Sequence, residues 1–110
     1  PDLIPDDQAL WFETSKGIVV VLGCAHSGVV NTLNHIAALT GVRDSYAVIG
    51  GMHLRRASAT LWAATVAALE RFHVSAVHPA HCTGGDAVRY MTERMGVRVK
   101  SCSAGVRIAI

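Results

Sequence analysis

Five consecutive aliphatic residues, Ile18-Val19-Val20-Val21-Leu22, constrain the fold of this chain more than any other stretch. Alternate side chains of a strand point to opposite faces, so a run with no polar member needs cover on both sides of its sheet. The run breaks at Gly23 and continues as Cys24-Ala25-His26-Ser27-Gly28, a corner that leads into a helical pattern and carries a ligand-type side chain. Two later stretches repeat the arrangement: Ala47-Val48-Ile49-Gly50-Gly51-Met52-His53 and Ala76-Val77-His78-Pro79-Ala80-His81-Cys82-Thr83-Gly84.

Periodicity and turn residues place the other elements. Pro1 to Gln8 reads as a loop or connector, Ala9 to Thr14 as a short strand, and Ser15-Lys16-Gly17 as the tight turn of a hairpin into Ile18 to Leu22. Ser27 or Gly28 opens a helix over Val29 to Leu39, with Val30, Leu33 and Ile36 or Ala37 on one face and Gly41 as its stop. A strand at Tyr46 to Ile49 precedes a helix from Ser58 to about Phe72, whose buried stripe is expected at Leu61, Ala64, Ala68 and Leu69. Val74 to Val77 is the next strand, Asp86 to Met95 the third helix, and Val97 to Ser101 and Val106 to Ile110 a closing pair of strands. The order is ββαβαβαββ. Strands separated by helices imply parallel crossovers, so the class is α/β, with a mixed sheet and helices on at least one face.

A length of 110 residues suits a single domain spanning 1–110, and 51% hydrophobic residues with only 5% aromatic suit close-packed α/β layers. The formal charge of +2 is spread along the chain, so no basic stripe is set up for nucleic acid. No apolar run reaches the roughly 20 residues of a membrane helix, and no basic segment leads into a signal core. Cys24, Cys82 and Cys102 are an odd set with wide spacing, which fits a reducing cytoplasm better than a disulfide framework. The chain starts at Pro1, which suggests a piece of something longer.

The chemistry is expected where the carboxyl ends of parallel strands gather on one sheet edge. His26, His53 and His81 each follow such an end, so they can converge although far apart in sequence. Neutral imidazole is a common ligand for zinc and suits iron and nickel, and the adjacent glycines let the backbone turn sharply. A lone histidine is more often structural; recurrence at three equivalent corners is what favours a metal site. His35 and His73 read as structural or exposed, and His78 ranks below His81 because residues three apart on a strand face opposite sides unless Pro79 bends the chain. Cys24 and Cys82 read as small buried apolar residues in preference to thiolate ligands or nucleophiles, and Cys102 as structural. Arg55 and Arg56 could hold an anionic substrate group or form a solvated turn; Asp6 and Asp7 could line the same edge or be loop acids.

The segments Asp6-Asp7-Gln8-Ala9-Leu10, Gly23 to Asn31, Gly50-Gly51-Met52-His53-Leu54 and His81-Cys82-Thr83-Gly84 together resemble the C-terminal half of the metallo-β-lactamase superfamily. They are most similar to its dihydropterin ribofuranosylaminobenzene phosphate synthase-like branch. The resemblance implies half of an αββα sandwich, with the superfamily's N-terminal half and its H-x-H-x-D-H motif lying outside these residues. It also implies a metal site, zinc first and iron or manganese as alternatives, with one or two ions. His26 and His81 are carried over as metal ligands, and His53 as a ligand or a proton donor.

Two functions from different classes follow. The first is part of a metal-dependent hydrolase in which metal-activated water attacks a phosphoester, ester or amide-like bond, the fragment alone being inactive. The second is a non-catalytic α/β interaction module. In both, the bare sheet face is expected to pack on the N-terminal half of the same fold or on a second copy of the chain.

Overall fold

The computed structural model describes residues 7–110. Strand β1 (Ala9–Thr14) turns through Ser15 and Lys16 into β2 (Gly17–Leu22), and helix α1 (Val29–Thr40) crosses to β3 (Ser45–Gly51). Helix α2 (Ala59–Arg71) then crosses to β4 (Ala76–Ala80). A single 3-10 turn (His81–Thr83), helix α3 (Gly85–Met95) and a second 3-10 turn (Gly96–Arg98) complete the regular structure. The sheet order is β1-β2-β3-β4, antiparallel between the first two strands and parallel thereafter. Two successive crossovers stepping in one direction put both helices on one face. No helix among the described residues is long and apolar enough to cross a membrane.

The core lies between that face and the three helices. Ile18, Val20 and Leu22 of β2, Val48 of β3 and Val77 of β4 point into it. They meet Val29, Leu33 and Ile36 of α1, Val66 and Leu69 of α2, and Ala87, Met91 and Met95 of α3. The strand register assigns the other face to two rows, Phe12-Val19-Ala47-Ala76 and Leu10-Val21-Ile49-His78. Val19 and Ala47 are buried, whereas Leu10 is 70% and Phe12 45% exposed. The second face is therefore apolar but open towards β1.

The local signals mostly act where the sequence places them. Gly41 ends α1 in the left-handed conformation, and its N–H reaches the Ala37 carbonyl at 2.9 Å. Gly28, rather than the Ser27 side chain, takes the N-cap position of α1. Ser58 caps α2, its Oγ accepting from the Leu61 amide at 3.3 Å. The buried face of α2 keeps half of the expected stripe: Ala68 and Leu69 point inward together with Thr65 and Val66, whereas Leu61 and Ala64 are exposed. In an alanine-rich helix the faces differ little in hydropathy, and Trp62 sets the rotation by donating from Nε1 to the Leu54 carbonyl at 3.0 Å.

Two boundaries differ more substantially. The fourth strand begins at Ala76 and runs through Pro79, because the Val74 amide is held by the Leu69 carbonyl and the Ser75 amide by the Tyr46 carbonyl. The expected closing pair of strands does not form. Val97 is 90% exposed, and the following segment only touches the free edge of β4 through bridges at Val77–Val99 and Ala80–Cys102. Val106 to Ile110 has no strand.

Candidate metal centre

Because β2, β3 and β4 are parallel, their carboxyl ends lie on one edge, and the three connections leaving them are tied together by main-chain hydrogen bonds. The Gly51 amide donates to the Gly23 carbonyl at 3.2 Å, and the Leu54 and Arg55 amides both reach the Cys82 carbonyl at 3.1 Å. Thr83 Oγ1 accepts from the Met52 amide at 3.1 Å and donates to the Ala80 carbonyl at 2.9 Å. This lacing fixes the corner that presents His81, whose φ of 21° lies in a region L-residues seldom occupy. His53, at φ 52°, is held in the same way. Such backbone is kept only where the surroundings over-determine it.

At the centre, Cys24 Sγ lies 2.8 Å from His81 Nε2. The Cys82 thiol faces both neighbours: its Sγ accepts from the His53 amide at 3.2 Å and lies 3.5 Å from the Cys24 carbonyl, to which it can donate. One ligand atom from each of Cys24, His81 and Cys82 falls within 4.8 Å of the other two. Gly51 makes this possible. A Cβ there would stand 2.4 Å from His81 Cε1, 2.7 Å from His81 Nε2 and 2.8 Å from Cys82 Sγ.

Beside this cluster, the rings of His26 and His53 meet edge to face, with centroids 4.6 Å apart. Asp7 holds the His26 corner, its carboxylate accepting from the His26 amide at 3.1 Å and the Ser27 amide at 2.9 Å. Burial alone would push the Asp7 carboxyl up, but the Ser27 and His26 amides together outweigh it and hold the group below its ordinary value. His53, His81 and Cys82 share the wall of an open cleft of about 800 Å³ with Arg55, Arg56, Ala57 and Leu61.

The three predicted histidines thus divide into a pair and a separate member. His26 and His53 touch each other; His81 turns to the two cysteines, and His53 and His81 both line the cleft. Cys24 and Cys82, expected as apolar filler, are half-buried with their sulfur atoms turned to His81. Their adjacency to ligand-type histidines in the sequence was the available signal. Asp7 belongs to the site as the clamp of the His26 corner, while Asp6 lies outside the described residues. His78 sits on β4 opposite Ile49, on the sheet face away from the helices. His35 is exposed on α1, and His73 Nδ1 pairs with Asp44 at 2.7 Å far from the corner.

The donor set fits a metal ion. Two sulfurs and one imidazole nitrogen are ligands that zinc and other thiophilic ions accept, and three protein ligands leave a fourth position open. The described residues therefore include a group able to hold a metal.

A solved structure of a metal-dependent hydrolase of the β-lactamase superfamily superposes with a TM-score of 0.88 at 35% sequence identity, covering 99% of this chain and 42% of that one. This chain carries part of a metallo-β-lactamase fold. A curated relative, the 7,8-dihydropterin-6-methyl-4-(β-D-ribofuranosyl)-aminobenzene-5'-phosphate synthase of Methanocaldococcus jannaschii, is 33% identical over 104 residues, which are 94% of this chain and 35% of that protein. No family model matches. The chain thus spans about a third of the curated relative and about two-fifths of the solved one. The metallo-β-lactamase resemblance of the four motif segments is shown over nearly the whole chain, at the level of fold as well as sequence.

Proposed function

We propose that this chain forms part of a metal-dependent hydrolase, with its metal centre at the edge where β2, β3 and β4 end. The observation that carries the proposal is the convergence of His81, Cys24 and Cys82 on that edge, with the His26–His53 pair beside them. His26 and His81 serve as metal ligands and His53 as a ligand or a proton donor; His53 suits the second role because it is exposed on the cleft wall. A divalent metal in such a site supplies Lewis acidity and an activated water, the chemistry that cleaves phosphoester, ester or amide-like bonds. Arg55 and Arg56 line the same cleft and offer guanidinium groups to a small anionic substrate. Zinc is the first choice of ion, since soft sulfur and imidazole donors dominate the centre; iron and manganese are the alternatives. An odd set of three widely spaced cysteines suits a reducing cytoplasm.

The open sheet face has a defined occupant in this reading: the remainder of the metallo-β-lactamase fold, since the chain covers 42% of the solved hydrolase. Metal analysis of the protein should find at least one tightly held transition ion, diminished by His26→Ala and by His81→Ala. Full metal content in the double variant would overturn the assignment. The exposure of Leu10 and Phe12 keeps a second reading in play, a non-catalytic module that oligomerises through this face. An H-x-H-x-D-H motif upstream in the same open reading frame decides for the enzyme, and a start codon immediately before Pro1 for the module.

A further inference from the structure

We infer that Cys24 and Cys82 are metal ligands in their own right, joining His81 in a Cys-Cys-His site that selects a thiophilic ion. This inference rests on the hydrolase reading for the presence of a metal and goes beyond it in assigning the ligands. Three independent observations converge on it. The first is distance. In a tetrahedral zinc site with bonds of about 2.3 Å to sulfur and about 2.1 Å to nitrogen, ligand atoms stand roughly 3.6 to 3.8 Å apart. The three atoms here already lie within 4.8 Å of one another, and the Cys24–His81 contact at 2.8 Å needs only a small side-chain rotation to admit an ion.

The second is the space reserved for the cluster. Gly51 ends a strand whose neighbours are apolar, and any side chain in its place would overlap both His81 and Cys82. The third is support from the surrounding backbone. Cys82 Sγ accepts a hydrogen bond from the His53 amide at 3.2 Å, an interaction that orients the sulfur towards the cluster. The ligands also arise from two different connections, the β2–α1 corner and the 3-10 turn after β4, so the site exists only in the folded chain. Cys102 stands apart, its amide bound to the Pro79 carbonyl at 2.9 Å on the edge of β4.

The site is tested by adding cobalt(II) to the reduced, metal-free protein and recording near-ultraviolet absorption, where thiolate-to-cobalt charge transfer appears and imidazole ligation does not. The wild type should show the band. Cys24→Ser and Cys82→Ser should each remove about half of it, the double variant all of it, and Cys102→Ser none. His81→Ala should weaken cobalt binding by about tenfold or more while leaving some sulfur absorption. Because Cys82→Ser could disturb the corner, alkylation of the wild-type protein gives a reading free of variants: zinc should protect Cys24 and Cys82 and leave Cys102 reactive. Cobalt bound without a sulfur band, or zinc that protects neither thiol, overturns the inference and leaves the hydrolase reading resting on the histidines His26, His53 and His81 alone. Absence of any tightly held metal from the complete protein, in contrast, would overturn that reading as well.

Discussion

Gly51 and Gly84 show how two glycines at one sheet edge constrain different things. A methyl group at Gly51 would meet the far end of the His81 side chain and the Cys82 sulfur, which can swing away, so Gly51→Ala should keep the fold and spoil the site. Its metal affinity should fall about tenfold or more in a competition titration with a chelator, with an unchanged far-ultraviolet circular dichroism spectrum. At Gly84 the added Cβ would stand 2.8 Å from Arg55 Cα, which is backbone, and φ is +82°. Gly84→Ala should therefore destabilise the fold itself by about 1–3 kcal/mol, measured by urea denaturation. Asp7 adds a pH dependence. Its carboxyl is held below its ordinary value in the folded chain, so its contribution is full above about pH 4 and is lost as pH falls through the depressed folded value. Asp7→Asn should remove that acid-side component and cost no more than about 1 kcal/mol near neutrality, the scale of a side chain capping main-chain amides. An equal acid dependence in the variant would exclude Asp7 as its source. The histidines of this edge were legible in the sequence because each follows an apolar run broken by glycine or proline. The partnership of Cys24 and Cys82 was not, since adjacency to a histidine does not say which way a thiol turns; that direction is set by contacts 57 and 58 residues away.

Among the elements, α2 is anchored at both ends by side chains whose roles can be separated. Ser58→Ala removes its N-cap and should cost about 1 kcal/mol. At the other end Glu70 and Arg98 form a two-point ion pair that ties α2 to the 3-10 turn after α3. The Arg98 hydrogen bond is the main reason the Glu70 carboxyl lies below its ordinary value, with burial opposing it. Stability from this pair is present above the ordinary carboxylate range and declines as pH drops below about 4. Both side chains are partly exposed, so Glu70→Gln should cost less than about 1 kcal/mol at neutral pH, and the cost should shrink in high salt. Thermal melts at two salt concentrations check this. The strand and helix sequence of the chain could be read as far as α3, because α1 and α3 each stop at a glycine and α2 opens at the Ser58 cap. It failed beyond Gly96, where Val97-Arg98-Val99 alternates like a strand although only Val99 has an inward place. It failed in another way at α2, where alanines on every side erased the hydropathy contrast that locates a buried stripe.

At the scale of the whole molecule, the sheet has one closed face and one that is open beside β1. Leu10 and Phe12 are exposed, in rows that continue through Val21 and Ile49 and through Val19 and Ala47 respectively, so the chain on its own should bind a hydrophobic dye or associate through this face. Gel filtration with dye-binding measurements checks it. A soluble monomer that binds no dye would rule out both a missing sandwich half and a self-association surface. The need for cover on both sides was evident from Ile18 to Leu22; which side the chain covers itself was settled by the handed crossovers that carry α1 and α2 to one face, where α3 joins them. The contact between Cys24 and His81 also has a topological meaning. It joins points 57 residues apart, so a metal ion bound through that place would fasten the end of β2 to the end of β4 and enclose α1, β3, α2 and β4 in one coordinatively closed ring. Closing a ring of that length restricts the unfolded chain far more than the folded one. A metal at this sheet edge would thus also act as a clasp, and amide hydrogen exchange across all four enclosed elements should slow together when it shuts.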